Sequence, residues 1–173
     1  MEKIKKFELT SEFIINEMGK KLFRIKALVS FASVKAGDLG GFVEKEENLD
    51  QSGDAWVYGD ARVCGDARVY GDARVYGDAR VYGDAWVCGD AWVCGDADVS
   101  DDADYACVKG FGTVHRNTTF FREKDGGVKV SCGCFFGTIK EFRAQVKQTR
   151  KGKIAKEYLM IADLMELHFR KAG

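Results

Sequence analysis

Only two histidines occur in the 173 residues, His115 and His168. His115 heads the tripeptide His115-Arg116-Asn117. Arg forks onto a phosphate or carboxylate, Asn hydrogen-bonds a base or sugar, and His changes charge near neutrality. We read the tripeptide as a candidate anion-binding site, with a strand-end turn as the structural alternative. His168 falls on the apolar stripe of the last expected helix and reads as a hydrogen-bonded core residue. Cys132-Gly133-Cys134 could join Cys107 and His115 around zinc. The Cys-x-x-Cys spacing of structural zinc sites is missing, so no metal is expected. A nucleophilic Cys134 beside His115 ranks below strand-facing thiols. Aspartate recurs every six residues rather than the nine of calcium-binding β-helices, which favours a turn role. No cofactor is implied.

A second set of candidates comes from aromatic and cationic residues at fixed spacing. At every eighteenth residue, one column reads Trp56, Arg74, Trp92. A second reads Arg62, Arg80, Asp98, and a third Arg68, Trp86, Asp104. Outward Trp, Tyr and Arg are the types enriched in binding hot spots. The structural alternative is a ladder of stacked side chains with cation–π contacts. A basic stretch, Lys147, Arg150, Lys151, Lys153 and Lys156, offers a third candidate, for an anion or nucleic acid.

These columns depend on a repeat of period six. Gly-Asp recurs from Gly53 to Gly95, and the unit reads Gly-Asp-Ala-x-Val-Tyr/Cys. A helix of 3.6 residues per turn would smear that period around its surface. A two- or three-residue strand plus a corner fits it. Gly and Asp tolerate the corner's backbone, Val points inward, and Ala sits where the corner is too tight for more. Three units close a triangular coil of 18 residues. Four coils are expected, the first irregular, because Leu39, Val43 and Leu49 hold the inward register while Lys45 and Gln51 break it.

The ends differ. Phe7–Leu9 and Leu22–Val29 read as a β-hairpin turning at Met18-Gly19-Lys20. Residues 111–134 read as strands with a turn at Asp125-Gly126-Gly127. Thr138-Ile139-Lys140-Glu141 has capping-box spacing and starts a helix to about Thr149. A second helix spans Ile154 to Arg170, with Ile154, Tyr158, Ile161, Met165 and Phe169 as its buried stripe and Leu159, Leu164 and Leu167 widening it. The expected domains are 1–34, a hairpin cap; 35–109, the repeat helix; and 110–173, an α+β module.

Lys plus Arg equals Asp plus Glu at 27 each, which argues against a general nucleic-acid coat. The balance is uneven along the chain. Residues 53–106 carry four Arg and twelve Asp, net −8, and residues 107–173 carry fourteen cations and six acids, net +8. That split suits docking within one molecule or between two copies. No apolar run nears the ~20 residues of a membrane span, and none follows Met1 as a leader would. A cytoplasmic protein with free thiols is expected.

The repeat array resembles the hexapeptide-repeat proteins, whose fold is a left-handed parallel β-helix. The resemblance implies a mainly β fold with left-handed 18-residue coils and a small C-terminal α+β module. A wider likeness rests on Phe23-Arg24-Ile25-Lys26-Ala27-Leu28 with Gly37-Asp38-Leu39-Gly40-Gly41-Phe42, on His115 through Phe121, on Gly133-Cys134-Phe135-Phe136-Gly137-Thr138, and on Glu157-Tyr158. These resemble a phage and prophage family of hexapeptide-repeat proteins, some labelled transferases by fold analogy alone. Hexapeptide acyltransferases carry a His base on the β-helix, and residues 1–114 contain no His. The resemblance therefore implies a non-enzymatic binding protein in the cytoplasm of an infected or lysogenic bacterium. It would inhibit a host defence system, as an anti-CRISPR or a nucleotide-signal sponge, by occupying a host protein or sequestering a small anionic ligand. The alternatives are an acyltransferase with an atypical site and a structural assembly component. A homodimer or trimer is expected, and no membrane partner.

Overall fold

The computed structural model describes residues 4–170. Residues 1–3 and 171–173, at the outer ends of the first and last expected domains, lie outside it. The chain opens with a hairpin of β1 (Phe7–Ile15) and β2 (Lys21–Ala27), turning at Gly19, and β2 then pairs with β3 (Leu39–Val43). Next come eight two-residue rungs: β4 (Trp56–Val57), β5 (Arg62–Val63), β6 (Arg68–Val69), β7 (Arg74–Val75), β8 (Arg80–Val81), β9 (Trp86–Val87), β10 (Trp92–Val93) and β11 (Asp98–Val99). They stack in parallel as three faces, β3-β5-β8-β11, β4-β7-β10 and β6-β9.

The register is the 18-residue one: Arg62 pairs with Arg80, Arg68 with Trp86, and Trp56 with Arg74. Where another coil follows, the N–H of a rung's first residue donates to the carbonyl one coil later, as Arg62 N to Ala79 O at 2.9 Å and Arg80 N to Ala97 O at 2.8 Å. Every repeat Val from Val57 to Val99 and every repeat Ala from Ala55 to Ala97 is fully buried. The corner glycines all take positive φ, for example +76° at Gly77, a region other L-residues seldom enter.

The stack is shorter than the four coils read from the sequence. It makes three coils and the first rung of a fourth. The first coil takes a step of twenty residues, with Phe42 pairing with Arg62, and its extra length forms a 3₁₀ turn at Glu46–Asn48. After Val99 a second 3₁₀ turn at Asp102–Asp104 diverts the chain, so Asp104 never stacks on Trp86. β12 (Tyr105–Val108) instead joins an antiparallel sheet with β13 (Thr118–Arg122), β14 (Val128–Cys132) and β15 (Phe135–Thr138).

Strand β13 ties this sheet to the coils through its two-residue alternation. Phe121 belongs to the core of the coils, while Phe120 packs with Phe142, Tyr158 and Met165 of the helices. Those helices are α1 (Ile139–Thr149) and α2 (Gly152–His168), and α1 starts at the capping box of Thr138 and Glu141. Tyr158, Ile161, Met165 and Phe169 are buried as expected. Leu164 and Leu167 are not; they face solvent. His168 is also exposed, and its Nε2 meets the Ala103 carbonyl at 3.1 Å. Phe169, one residue on, takes the buried place.

Candidate functional site

The structure separates the three outer columns. Trp56 is in the expected register but buried, because Phe7 and Phe31 cover it with ring centroids 6.2 and 5.4 Å away. It is a core residue and not a surface site. Above it, Arg74 lies 5.5 Å from the centroid of Trp92, and Tyr76 meets the same ring edge-on. Arg62 and Arg80 are engaged by Glu17 of the hairpin turn, at 3.8 and 2.6 Å. Arg68 lies 5.5 Å from the centroid of Trp86, which stays open to solvent.

Trp92 is where a column meets the sequence's polar cluster. A cleft of about 460 Å³ is lined by Asp90, Trp92, Lys109, Val114, His115, Arg116 and Asn117, with Thr119, Ser131 and Gly133 completing it. One wall is the third coil's corner. The other is the loop from β12 to β13 and the β14–β15 turn. The loop is fastened to the coil: Asn117 donates to the Asp90 carbonyl, Lys109 pairs with the Asp90 carboxylate, and Trp92 N–H donates to the Thr119 hydroxyl at 3.1 Å.

Each polar group is set by a local cause. The residue of the tripeptide in the left-handed region is His115, at φ +48°. His115 Nδ1 lies 3.0 Å from the Gly110 carbonyl. A carbonyl only accepts, so the proton sits on Nδ1 and a neutral ring keeps Nε2 as an acceptor. Arg116 lies over Gly133, where an added Cβ would fall 1.7 Å from its Nη1. Only glycine leaves room for the guanidinium there. Two cations, Lys109 and Arg116, against one carboxylate, Asp90, leave the lining net positive.

The thiols do not assemble. Among the described residues no three His, Cys, Asp or Glu side chains gather as a metal site. Cys107 Sγ packs between the Thr119 hydroxyl and the Asn117 amide oxygen, at 3.2 and 3.1 Å, and desolvation pushes its pKa up. Burial does the same to Cys64 and Cys94. All three are therefore poor nucleophiles at neutral pH.

Of the basic stretch, Arg150 lines a recess of about 90 Å³ behind Arg116, beside Tyr158 and Cys134. Lys147, Lys151 and Lys153 lie outside the cleft, exposed between or on the helices. Lys153 pairs with Glu157 at 3.5 Å. Sequence reasoning missed Lys109, Asp90, Thr119 and Ser131. Asp90 was hidden as one of eight identical corner residues, and Lys109 follows the last strand of the array with no motif around it.

Residues 61–75 and 73–89 match the family model described as the YdcK beta solenoid repeat. No curated protein matches the chain. The match falls on the rungs whose parallel register is described above, and the chain is accordingly a β-solenoid repeat protein.

Proposed function

We propose that the protein acts by binding, and that the cleft at Trp92 holds a small planar anion of the nucleotide type. The observation that carries this reading is the convergence of one half-exposed indole with Arg116, Lys109, Asn117 and His115 on one cleft. An indole face stacks on a base, worth ~1–3 kcal/mol, and a guanidinium forks onto a phosphate. Nothing in that set needs a nucleophile. The setting we propose follows the resemblance of the sequence: a phage-type inhibitor of a host defence system, sequestering a nucleotide signal or occupying a host protein. The cleft chemistry supports the ligand-holding half of that role.

Calorimetry with nucleoside monophosphates, cyclic mononucleotides and inorganic phosphate tests it. Binding of a nucleotide, weakened at least about tenfold by Trp92→Ala and by Arg116→Ala, is the expected result. Gly133→Ala should weaken it too, by displacing the guanidinium. Inorganic phosphate binding as tightly as every nucleotide, or no heat with any of them, would sink it. A second reading, acyl transfer, has one observation in its favour: the anchored Nδ1 of His115 leaves Nε2 able to take a proton. Acetyl-coenzyme A turnover abolished by His115→Ala would select that reading instead.

A further inference from the structure

Two exposed features of complementary character lie away from the cleft. On the β6–β9 face Trp86 is 48% exposed and borders two grooves of about 490 and 430 Å³. Glu46, Glu47 and Asp50 line one, and Glu47, Asp66 and Asp84 the other. Lys5 holds Glu46 and Lys45 holds Asp66, both at 2.9 Å, and Arg68 lies over the indole, so Glu47 and Asp84 carry the acidity of the face.

The outer face of α2 has the opposite character. Met160, Leu164 and Leu167 are 70%, 57% and 63% exposed, at a spacing of four and three. At 100° per residue Lys156 and Lys153 fall on the same face, one and two turns earlier. The stripe thus begins cationic and continues apolar. Of the acids near it, Asp163 and Glu166 are held by Arg143, at 2.6 and 2.7 Å, and Glu157 offsets Lys153 in part, at 3.5 Å, while Lys156 keeps the end cationic. Among the described residues no hydrogen bond or ion pair joins α2 to the β6–β9 face of its own chain.

We propose that the β6–β9 face of one copy receives α2 of a second copy. Met160 and Leu164 would cover Trp86, and Lys153 and Lys156 would meet Glu47 and Asp84. Covering an exposed indole and an exposed apolar stripe together removes two water-facing apolar surfaces. The charge match follows the −8 and +8 split of the two regions. Because groove and stripe differ, the contact is heterologous. Each added copy leaves one of each open, so the assembly closes as a ring or grows as a filament. This inference stands apart from the ligand reading of the cleft.

Sedimentation of the full chain at tens of micromolar tests it. Wild type should exceed the 19.2 kDa chain mass, rise with concentration and fall as salt is raised. A groove variant, Glu47→Lys with Trp86→Ala, and a stripe variant, Met160→Asp with Leu164→Asp, should each run as monomers. Their equimolar mixture should give a species of twice the chain mass and nothing larger, since each supplies the surface the other lacks. If either variant melts early, Lys153→Glu with Lys156→Glu at exposed polar positions replaces the stripe variant. A wild type that stays monomeric at every salt concentration overturns the proposal. So does a groove variant that associates like wild type, or a mixture of the two variants that stays monomeric.

Discussion

The two ends of the coil stack face opposite hydrogen-bonding problems. The N–H groups of a rung's first residue, of the residue after Val and of the corner Asp donate toward the later coil, as Arg62, Cys64 and Asp66 do, so the first coil presents mainly carbonyls at its edge and the last mainly N–H groups. The residues supplied at each end match that polarity. At the first coil the groups are donors. Lys6 Nζ, buried, donates to the carbonyls of Ser52, Gly53 and Ala55 at 3.3, 3.3 and 2.9 Å. Asn48, fully buried, donates to Gly65 and Ala67 at 3.1 and 2.9 Å. Arg24 donates to Gly40 at 2.8 Å. At the last coil the groups that meet the N–H edge are acceptors, while the Tyr105 hydroxyl donates to the Trp86 carbonyl. Asp102 takes the Trp86 N–H at 2.8 Å, Thr119 that of Trp92, and Asp104 that of Ser100 at 3.0 Å. Burial works against ionisation of Asp104, but Ser100 and Arg122 outweigh it and hold the carboxyl below its usual range. A parallel stack is thus directional, and its two caps cannot be exchanged.

The sharpest way to break the comparison is at the donor end. Asn48→Leu keeps the volume but orphans two buried carbonyls, and should cost about 2–4 kcal/mol in urea unfolding. A loss well under 1 kcal/mol would mean water replaces the amide and the end needs no dedicated donor. Mid-stack, where neighbours satisfy every rung, the penalty should come from volume instead. Ala79→Leu should overpack the corner by about 1–3 kcal/mol, whereas Arg80→Lys next to it should shift the melting midpoint by about 2 °C or less. Equal tolerance at both positions would refute the inward register. At the acceptor end Asp102→Leu should cost about 1 kcal/mol and Asp102→Asn much less, since the amide oxygen still accepts.

The smallest effect is a slope. Burial pushes the Lys6 pKa down to about 8, against the pull of Asp50 and Asp54. An unfolded lysine holds its proton well above that pH. Below pH 8 the folded state therefore carries the full penalty of a buried ammonium. From about pH 8 to 9 the folded state sheds the proton and the unfolded state does not, so stability gains with rising pH. Above that, the buried Cys64 and Cys94 thiols, whose pKa values are raised, act in the opposite sense. Melting curves of wild type and Lys6→Met across this window should differ in slope, wild type rising more. Parallel slopes would show that Lys6 titrates normally.

The rungs were legible because repetition fixes register: the pairs Arg62–Arg80 and Trp56–Arg74 follow from a period alone. The capping box at Thr138 was legible because its partners are three residues apart. What covers a rung was not. Trp56 carries the same local sequence as Trp86 and Trp92, yet distant Phe7 and Phe31 bury it. Lys45 and Gln51 read as faults in the pattern. In the structure Gln51 bonds the backbone of Lys6 and Phe7, and Lys45 starts the turn that seats Asn48. Half of the candidate site was visible as His115-Arg116-Asn117. The half supplied by Asp90 and Lys109 depends on which of several equivalent corners the last module docks against, and no local pattern encodes that.

The 18-residue coil also works as a ruler and a protractor. Gain or loss of 18 residues within the array would lengthen or shorten the body by one layer and leave the two caps facing as they do now. Gain or loss of six would turn the C-terminal module by a third of a revolution about the long axis. The Trp92 cleft would keep its walls, since both lie on the C-terminal side, but would point to a different side from the hairpin. Copy-number slippage in so uniform an array could therefore re-aim the binding site in steps of one face without altering a single residue that forms it.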